Sequence, residues 1–355
     1  MPSQDTTAEA WTLRHDLEQV VDATADVWRR LDGARLFITG GTGFIGCWML
    51  ETLIHARQSL QVDVRATVLT RDAARFARKA PHLADAPGIE LLEGDVLDFP
   101  SPPGRFTHVI HAATEASADL NENDPKTMFT TALEGTRRAL EFTREKQAQR
   151  MLFLSSGAVY GQQPWDVTNV AEDWRGGPDT LDPRAAYAEA KRAAEMLCAI
   201  HAKQFGVQTA IARIFALLGP YLSLDIHFAA GNFIRDAMAG RTVTVNGNGL
   251  PHRSYLYAGD LVTWLWHMLD RAPSCRAYNL GSPQTISVAD LARLTSRLLG
   301  SGEVRIVGAS DSGWNLGRYV PDTSRIQGEL GVCQTVSLEQ SILRTARWNG
   351  WEPKK

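Results

Sequence analysis

The stretch 34–46, A-R-L-F-I-T-G-G-T-G-F-I-G, constrains the fold of this chain more than any other part of the sequence. It begins as an apolar run of strand character and then breaks into glycines spaced as Gly40-x-x-Gly43-x-x-Gly46. From Phe44 onward, large apolar residues recur every three or four positions, which predicts a helix. A strand, a glycine turn and a helix in this order favour a site for the pyrophosphate of a dinucleotide.

Glycine suits such a turn because it adopts positive φ without strain and has no Cβ to keep phosphates away from the backbone. The N-terminus of the next helix then offers unpaired N–H groups and a partial positive charge to the anion. Taken alone, the motif is also compatible with an ordinary glycine-rich turn between a strand and a helix. The rest of the chain decides between these interpretations.

The composition of the 355 residues is ordinary for a soluble globular protein, with 44% hydrophobic and 22% charged residues. A net charge of −3 gives no basic face for nucleic acid. No stretch approaches the run of about 20 apolar residues that a membrane helix needs, and the polar, acidic N-terminus is unlike a signal peptide. The four cysteines have neither metal nor redox spacing, which predicts reduced thiols, no metal site and a cytoplasmic location.

Short apolar strands alternate with helical patterns up to about residue 219. The predicted strands cover residues 35–39, 64–69, 89–92, 106–111, 151–154 and 207–215, and long helices cover 125–145 and 186–205. This alternation predicts an α/β fold, a Rossmann-type doubly wound parallel sheet with right-handed crossovers. Beyond this point the alternation weakens, which predicts a smaller, mixed α/β C-terminal lobe that binds the substrate.

Three regions are therefore expected: a helical extension at residues 1–32, a dinucleotide-binding domain at 33–219 and a substrate-binding lobe at 220–355. The lobe should be interleaved with the domain, because no flexible linker separates them. In the extension, apolar residues repeat at helical spacing from 8 to 32. This pattern predicts an amphipathic helix that packs on the domain or on a partner subunit.

Tyr187 and Lys191 stand four residues apart on a predicted helix, so their side chains leave the same face. A phenol ionises at about pH 10, but a nearby ammonium group and a nicotinamide ring favour the phenolate. The pair is therefore typical of an acid/base beside a hydride carrier. The spacing also arises by chance, but here it follows Ser155 and Ser156 by one strand–loop unit, and that order favours catalysis.

The end of the second predicted strand bears on the choice of cofactor. Enzymes that prefer NAD usually carry Asp or Glu there to bind the ribose hydroxyls, whereas this chain has Thr70-Arg71-Asp72. The forked guanidinium of Arg71 suits a 2′-phosphate and favours NADP(H). In the alternative, Arg71 is a solvated arginine, and Asp72 binds the ribose of NAD(H) or caps a helix.

Several motifs follow one another along the chain: T-G-G-T-G-F-I-G, G-D-V, H-A-A-T, L-S-S-G-A-V-Y-G, Y-A-E-A-K, R-I-F-A-L-L-G-P, R-S-Y-L-Y-A-G-D and Y-N-L-G-S. In order and spacing they resemble the extended short-chain dehydrogenase/reductases that modify nucleotide sugars, over roughly residues 33 to 347. The resemblance implies an NAD(P)-dependent enzyme and a nucleotide-diphosphate sugar as substrate. It also implies a homodimer formed through the helices near 125–145 and 184–205.

The resemblance implies that Tyr187 is the general acid/base, that Lys191 modifies its pKa and binds the cofactor's ribose, and that Ser156 hydrogen-bonds the reacting sugar oxygen. The other predicted cofactor contacts are Gly40, Thr42, Gly43, Phe44, Ile45, Arg71, Asp95, Val96, Ala112, Ala113 and Thr114. The other predicted substrate contacts are Ser117, Gly157, Asn232 and Arg253. Arg253 resembles an arginine that clamps the diphosphate, although a plain surface arginine is the alternative.

Two departures from the family's patterns narrow the reaction. Nucleotide-sugar 4,6-dehydratases of the family carry Asp-Glu directly after the catalytic hydroxyl, whereas this chain has Gly157-Ala158, which cannot move protons. Epimerases of the family usually carry asparagine after R-x-F, where this chain has Ala216. We therefore expect an NADP(H)-dependent reductase of a nucleotide-linked 4-keto-6-deoxy sugar.

In this reaction Tyr187 would donate the proton and Ser156 would stabilise the developing alkoxide. An NAD-dependent nucleotide-sugar 4-epimerase is the alternative. Less favoured alternatives are a 4,6-dehydratase and a non-catalytic NADP-sensing protein, which the presence of Ser156, Tyr187 and Lys191 argues against.

Overall fold

The computed structural model describes residues 11–114, 118–225, 229–308 and 317–353. The strands are β1 Arg35–Thr39, β2 Arg65–Thr70, β3 Ile89–Glu93, β4 His108–His111, β5 Arg150–Ser156, β6 Thr209–Ile214, β7 Leu217–Leu218, β8 Val243–Val245, β9 His252–Arg253, β10 Leu256–Tyr257, β11 Arg276–Leu280, β12 Ile286–Ser287, β13 Val304–Ile306 and β14 Arg318–Tyr319. The helices are α1 Leu13–Ala23, α2 Ala25–Arg30, α3 Phe44–Leu60, α4 Ala73–Lys79, α5 Pro81–Ala84, α6 Ala118–Asn123, α7 Pro125–Glu145, α8 Ala186–Phe205, α9 Ala229–Met238, α10 Ala258–Arg271, α11 Val288–Leu299, α12 Ser324–Leu330 and α13 Leu338–Trp348. Two 3-10 turns cover Gly157–Tyr160 and Pro183–Ala185.

Seven strands form one sheet in the order β11-β6-β5-β4-β1-β2-β3, and every neighbouring pair is parallel. β1, β2, β4, β5 and β6 are buried along nearly their whole length, as a sheet covered by helices on both faces requires. The strand order reverses between β1 and β4, so a crevice opens at the carboxyl ends of these strands. The predicted Rossmann-type doubly wound sheet is confirmed.

The seventh strand comes from a part of the chain that the sequence assigns to the smaller lobe. β11 pairs in parallel with β6 and places Arg276 opposite Ala210. The connection from β6 to β11 includes α10, which packs against the sheet and is buried along most of its length. The main sheet therefore takes its edge strand from beyond residue 220.

The helix predicted for the N-terminal extension is divided at Thr24 into α1 and α2. The Thr24 hydroxyl donates to the carbonyl of Val20 at 2.6 Å and accepts from Nε1 of Trp28 at 2.8 Å. Trp28 then stacks on Trp266 of α10, with ring centroids 4.3 Å apart. The extension thus packs on the chain's own domain.

A buried carboxylate fixes this extension to the other end of the chain. Asp16 accepts hydrogen bonds from Trp11 Nε1 at 3.1 Å, from Arg344 Nη1 at 2.5 Å and from the hydroxyl of Tyr257. Arg344 lies on α13, and Tyr257 ends β10. Burial raises the pKa of Asp16, while these partners stabilise its charged form.

The smaller lobe has a core of its own between α9, α11, α13 and the parallel pair β8–β13. A second small sheet, β12-β9-β14, places Tyr319 opposite Arg253. On the far face of the main sheet, α7 and α8 pack against each other. In the described part of the chain no helix is both long and apolar enough to cross a membrane.

Candidate active site

The glycine turn after β1 is closed so tightly that side chains do not fit. Gly40 has φ of 72°, and a Cβ there would lie 2.5 Å from the carbonyl carbon of Ala112. A Cβ on Gly46 would lie 2.4 Å from the carbonyl oxygen of Gly40. Glycine at both positions lets the turn, the start of α3 and the end of β4 approach one another.

This turn presents backbone rather than side chains to the crevice. α3 begins at Phe44, and its N-cap, Gly43, supplies no side-chain cap, so its first N–H groups remain available to an anion. Gly43 is exposed, while Thr42, Phe44 and Ile45 are half-buried. The turn therefore leaves backbone N–H groups open to an anion such as a pyrophosphate, and the contacts predicted for these four residues stay predictions.

The residues predicted for the adenosine end lie at the carboxyl ends of β2 and β3. Arg71 is exposed directly after β2. Asp72 caps α4, since its Oδ1 accepts from the backbone N–H of Arg75 at 2.7 Å. Asp95 likewise accepts from the N–H of Leu97 at 2.9 Å, and Val96 is buried. Of the two alternatives for Asp72, the structure thus contains the helix cap.

Lys191 is held beneath the end of β4. Its Nζ donates to Oγ1 of Thr114 at 2.8 Å and to the carbonyl oxygen of Leu154 at 2.7 Å. Ala112 and Ala113, which precede Thr114, are half-buried at the mouth of the crevice. The segment 112–114 therefore links the glycine turn to the lysine of the predicted catalytic pair.

Lys191 is only 3% exposed, and burial lowers the pKa of its ammonium group to about 7, although the carboxylate of Glu195 opposes that shift. Its Nζ lies 6.0 Å from the centroid of the Tyr187 ring. The lysine is thus near enough to act on the phenol, but its charge is marginal at neutral pH.

Tyr187 is half-buried on the first turn of α8. Burial raises the pKa of its phenol above the ordinary value, and the nearby Ser156 hydroxyl lowers it only in part. The lowering of the Tyr187 pKa expected from Lys191 together with a nicotinamide ring stays a prediction, since the shift caused by the protein's own residues is upward. The reason is that desolvation disfavours both the phenolate and the ammonium charge that would stabilise it.

Ser156 ends β5 and lies beside two phenols, those of Tyr187 and Tyr319. Its Oγ accepts from the N–H of Ala158 at 3.1 Å, which holds the side chain at the start of a 3-10 turn. Ser155 contacts a different group, because its hydroxyl donates to Oε1 of Glu195 at 2.6 Å.

The two residues that follow Ser156 in the chain, Gly157 and Ala158, carry no ionisable side chain. Gly157 is buried and a Cβ there would lie 2.7 Å from Cζ of Phe215, and Ala158 follows it. The two residues directly after Ser156 therefore offer no carboxylate, and the Phe215 ring occupies the space into which a side chain of residue 157 would extend.

Of the other predicted substrate contacts, Arg253 and Asn232 lie in the smaller lobe and Ser117 lies before it. Arg253 is half-buried and donates to the carbonyl oxygens of His252 and Gly317, both at 2.9 Å. Its partial burial and these two hydrogen bonds argue against a plain surface arginine, and burial lowers the pKa of its guanidinium. Asn232 is half-buried on α9, and Ser117 lies outside the described residues.

The sequence analysis does not identify Tyr319 as a neighbour of the predicted catalytic residues. Its ring packs on Phe215 with centroids 4.6 Å apart, it lies opposite Arg253 in the β9–β14 pair, and Ser156 lies beside its phenol. The only signal in the sequence is an Arg-Tyr dipeptide in a region without periodicity. Across the described ranges, no group of three or more His, Cys, Asp or Glu side chains is arranged to hold a metal ion.

The family model of the NAD dependent epimerase/dehydratase family matches residues 36–281. UDP-glucuronic acid decarboxylase 1 of Xenopus tropicalis is 32% identical over 320 residues, which cover 89% of this chain and 72% of that protein. A dTDP-glucose 4,6-dehydratase of Streptomyces griseus is 27% identical over 331 residues, covering 90% of this chain and 96% of that protein.

Solved structures agree with the fold. A dTDP-glucose 4,6-dehydratase from Streptomyces venezuelae, a double mutant with NAD bound, superposes with a TM-score of 0.75 at 25% identity, covering 88% of this chain and 96% of that one. The UDP-glucose 4-epimerase of Thermotoga maritima, solved with UDP-glucose, gives a TM-score of 0.76 at 20% identity, covering 89% and 98%. The chain therefore belongs to the NAD dependent epimerase/dehydratase family and is an enzyme of the extended short-chain dehydrogenase/reductase type.

Proposed function

We propose that this enzyme reduces the 4-keto group of a nucleotide-linked 4-keto-6-deoxy sugar. The observation that carries the proposal is the site wall at Gly157, closed by Phe215, beside an intact Ser156, Tyr187 and Lys191. Dehydration needs further groups that remove and donate protons at neighbouring carbons, whereas reduction of a ketone needs a single proton. The residues present are sufficient for the second task.

In this reaction the Tyr187 phenol donates its proton to the carbonyl oxygen, and the Ser156 hydroxyl stabilises the negative charge that develops there. A phenol with a raised pKa is a poor base but stays protonated, as a proton donor must. Lys191 orients the site through Thr114 and binds the ribose of the cofactor. When bound, the reduced nicotinamide supplies the hydride.

The proposed cofactor is NADPH, bound by the glycine turn and by Arg71. β2 ends in Thr70 rather than in an acidic residue, and the carboxylate of Asp72 already caps α4. Neither observation favours binding of the free ribose hydroxyls of NAD(H), whereas an exposed guanidinium suits the 2′-phosphate of NADPH. NAD(H) is the alternative, because the family is described as NAD dependent and the Streptomyces venezuelae relative contains NAD.

The proposed substrate carries a nucleoside diphosphate, for which Arg253 and Asn232 are the proposed contacts. Arg253 points its guanidinium toward backbone carbonyls beside Tyr319, and burial makes the pairing of its charge with an anion strong. Solved relatives support this class of substrate, since one of them was crystallised with UDP-glucose.

A second candidate is decarboxylation of a nucleotide-linked uronic acid, favoured by the relative named UDP-glucuronic acid decarboxylase. Oxidation at C4 of such a sugar gives a β-keto acid, which loses carbon dioxide without a dedicated carboxylate base. Gly157 and Ala158 are therefore compatible with this reaction as well. It is redox-neutral overall, as is 4-epimerisation, so both would work with retained NAD.

The test is a panel of UDP- and dTDP-linked hexoses, uronic acids and 4-keto-6-deoxy sugars, each with NADH or NADPH, with products identified by mass and NMR. Stoichiometric oxidation of NADPH with a 4-keto sugar supports the proposal. Release of carbon dioxide from UDP-glucuronic acid would overturn the proposed reduction in favour of decarboxylation. Epimerisation without added cofactor would overturn it in favour of 4-epimerisation.

We also propose a homodimer formed through α7 and α8. Four large apolar side chains on these helices are exposed although the helices are otherwise packed on the sheet, and they are Phe129, Met196, Ile200 and Phe205. Exposed apolar side chains grouped on one pair of helices are typical of a subunit interface. A second copy of the same helices would cover them symmetrically.

A further inference from the structure

Two cysteines that are far apart in the sequence meet at the edge of the main sheet. Cys198 lies on α8, and Cys275 lies in the turn that leads into β11. The Sγ atom of Cys275 is 3.8 Å from the backbone oxygen of Cys198 and 3.5 Å from Oγ1 of Thr209. The two residues are therefore direct neighbours, although 77 positions separate them.

The turn holds Cys275 in an unusual conformation. Its φ is 56°, in the left-handed region that residues other than glycine rarely adopt. Its backbone N–H donates to the carbonyl of Thr209 at 2.8 Å, and the N–H of Thr209 in turn bonds Oγ of Ser274 at 3.2 Å. These bonds fix the strained residue so that its thiol points toward α8.

The two thiols differ in access to solvent. Cys275 is exposed, whereas Cys198 is fully buried beneath the sheet. Burial raises the pKa of the Cys198 thiol, and the Glu195 carboxylate and the Cys275 thiol raise it further. An oxidant therefore reaches the exposed Cys275 first, while burial and the raised pKa protect Cys198 from direct oxidation.

We propose that Cys198 and Cys275 form a disulfide under oxidation by a hydroperoxide, with Cys275 as the attacked residue and Cys198 as the resolving one. With hydrogen peroxide as the oxidant, the Cys275 sulfur attacks one peroxide oxygen, so that an S–O bond forms and the O–O bond breaks, and the leaving hydroxide takes up the thiol proton and departs as water. The Cys198 sulfur then displaces the hydroxyl of this sulfenic acid, which forms the S–S bond and releases a second water. The peroxide is reduced, and the two thiols are oxidised.

The bond would tie α8 to the turn before β11. Because α8 also carries Tyr187 and Lys191, it would restrain the helix on which the predicted catalytic pair stands. Closing a long loop constrains the unfolded chain, so the oxidised protein should unfold at a temperature higher by about 3 °C or more. A thiol reductant should reverse this shift.

The test uses the full-length protein treated with hydrogen peroxide, alkylated under denaturing conditions, digested and examined by mass spectrometry. The expected product is a peptide pair joined through Cys198 and Cys275, lost on reduction with dithiothreitol. Cys333→Ser is the matched control, because Cys333 is also exposed. This variant should keep the cross-link, whereas Cys275→Ser should lose both the cross-link and the thermal shift.

Cys198→Ala provides the complementary measurement, since it leaves the attacked thiol without its partner. In this variant Cys275 should accumulate as sulfenic and then sulfinic acid. The proposal is overturned if wild-type Cys275 stops at the sulfinic acid while Cys198 remains alkylatable, or if Cys275 cross-links to Cys333 or to a second molecule instead.

Discussion

Phe215 closes the space next to Gly157, because a Cβ on that glycine would lie 2.7 Å from Cζ and 2.8 Å from both Cε atoms of the ring. The ring is itself buried, packed between Tyr160 and Tyr319. The packing of Phe215 therefore favours glycine at position 157, in addition to the fact that glycine carries no acidic group there.

The first prediction concerns this contact. Gly157→Ala should lower the free energy of unfolding by about 1–3 kcal/mol, the usual cost of overpacking a buried site, and should reduce turnover by displacing Ser156. Gly328→Ala is the matched control, since a Cβ on this glycine of α12 would meet nothing within 4 Å. Chemical denaturation that finds both variants as stable as the wild type would refute the packing argument.

Lys191 predicts a pH dependence of stability. Its pKa is about 7 in the folded protein and about 10.4 in an unfolded chain, so the unfolded state binds more protons between these values. The free energy of unfolding should therefore gain up to about 1.4 kcal/mol per pH unit from this residue as the pH rises from 7 toward 10. When the free energy of unfolding is plotted against pH over this range, the slopes of wild type and Lys191→Met should differ by that amount. Parallel plots would contradict the lowered pKa of Lys191.

Arg71 should discriminate between the two cofactors. Arg71→Ala should raise the KM for NADPH about tenfold or more, through loss of a charge-assisted contact with the 2′-phosphate, and should leave the KM for NADH nearly unchanged. Arg293→Ala, at an exposed site on α11, is the control for loss of a positive charge. Equal effects on both cofactors would show that Arg71 does not bind the 2′-phosphate.

The proposed dimer depends on the exposed apolar residues of α7 and α8. Met196→Glu places a charge on the most exposed of the four side chains, so multi-angle light scattering should find about half the wild-type molar mass. Leu181→Glu serves as the control, because Leu181 is 90% exposed but lies in the loop before α8. A wild type that is already monomeric, or a Met196→Glu variant that stays dimeric, would exclude this interface.

The central part of the site can be predicted from the sequence, because its residues belong to short motifs that follow the strands of the main sheet. The glycine turn, Thr114 and the Tyr187–Lys191 pair each follow a strand of the main sheet, and strand ends of a parallel sheet meet at one edge. Their order along the chain therefore predicts their proximity. The hydrogen bond from Lys191 to Thr114 is an instance of this rule.

Other features depend on contacts that no local pattern encodes. Tyr319 reaches Ser156 through a two-residue strand paired with Arg253, and nothing in its neighbours marks it. The direction of the Tyr187 pKa shift depends on burial, which motif spacing does not report. The division of the N-terminal helix at Thr24 is likewise not marked by the apolar periodicity, which continues across it.

The most direct test of the account is the turnover of Tyr187→Phe with the substrate that the panel identifies. The substitution removes only the phenolic oxygen, so cofactor binding, followed by nicotinamide fluorescence, and the unfolding temperature should stay close to those of the wild type. Turnover should fall at least about a hundredfold, the usual contribution of a positioned acid/base. Wild-type turnover in this variant would contradict the role of Tyr187 and, with it, the proposed mechanism.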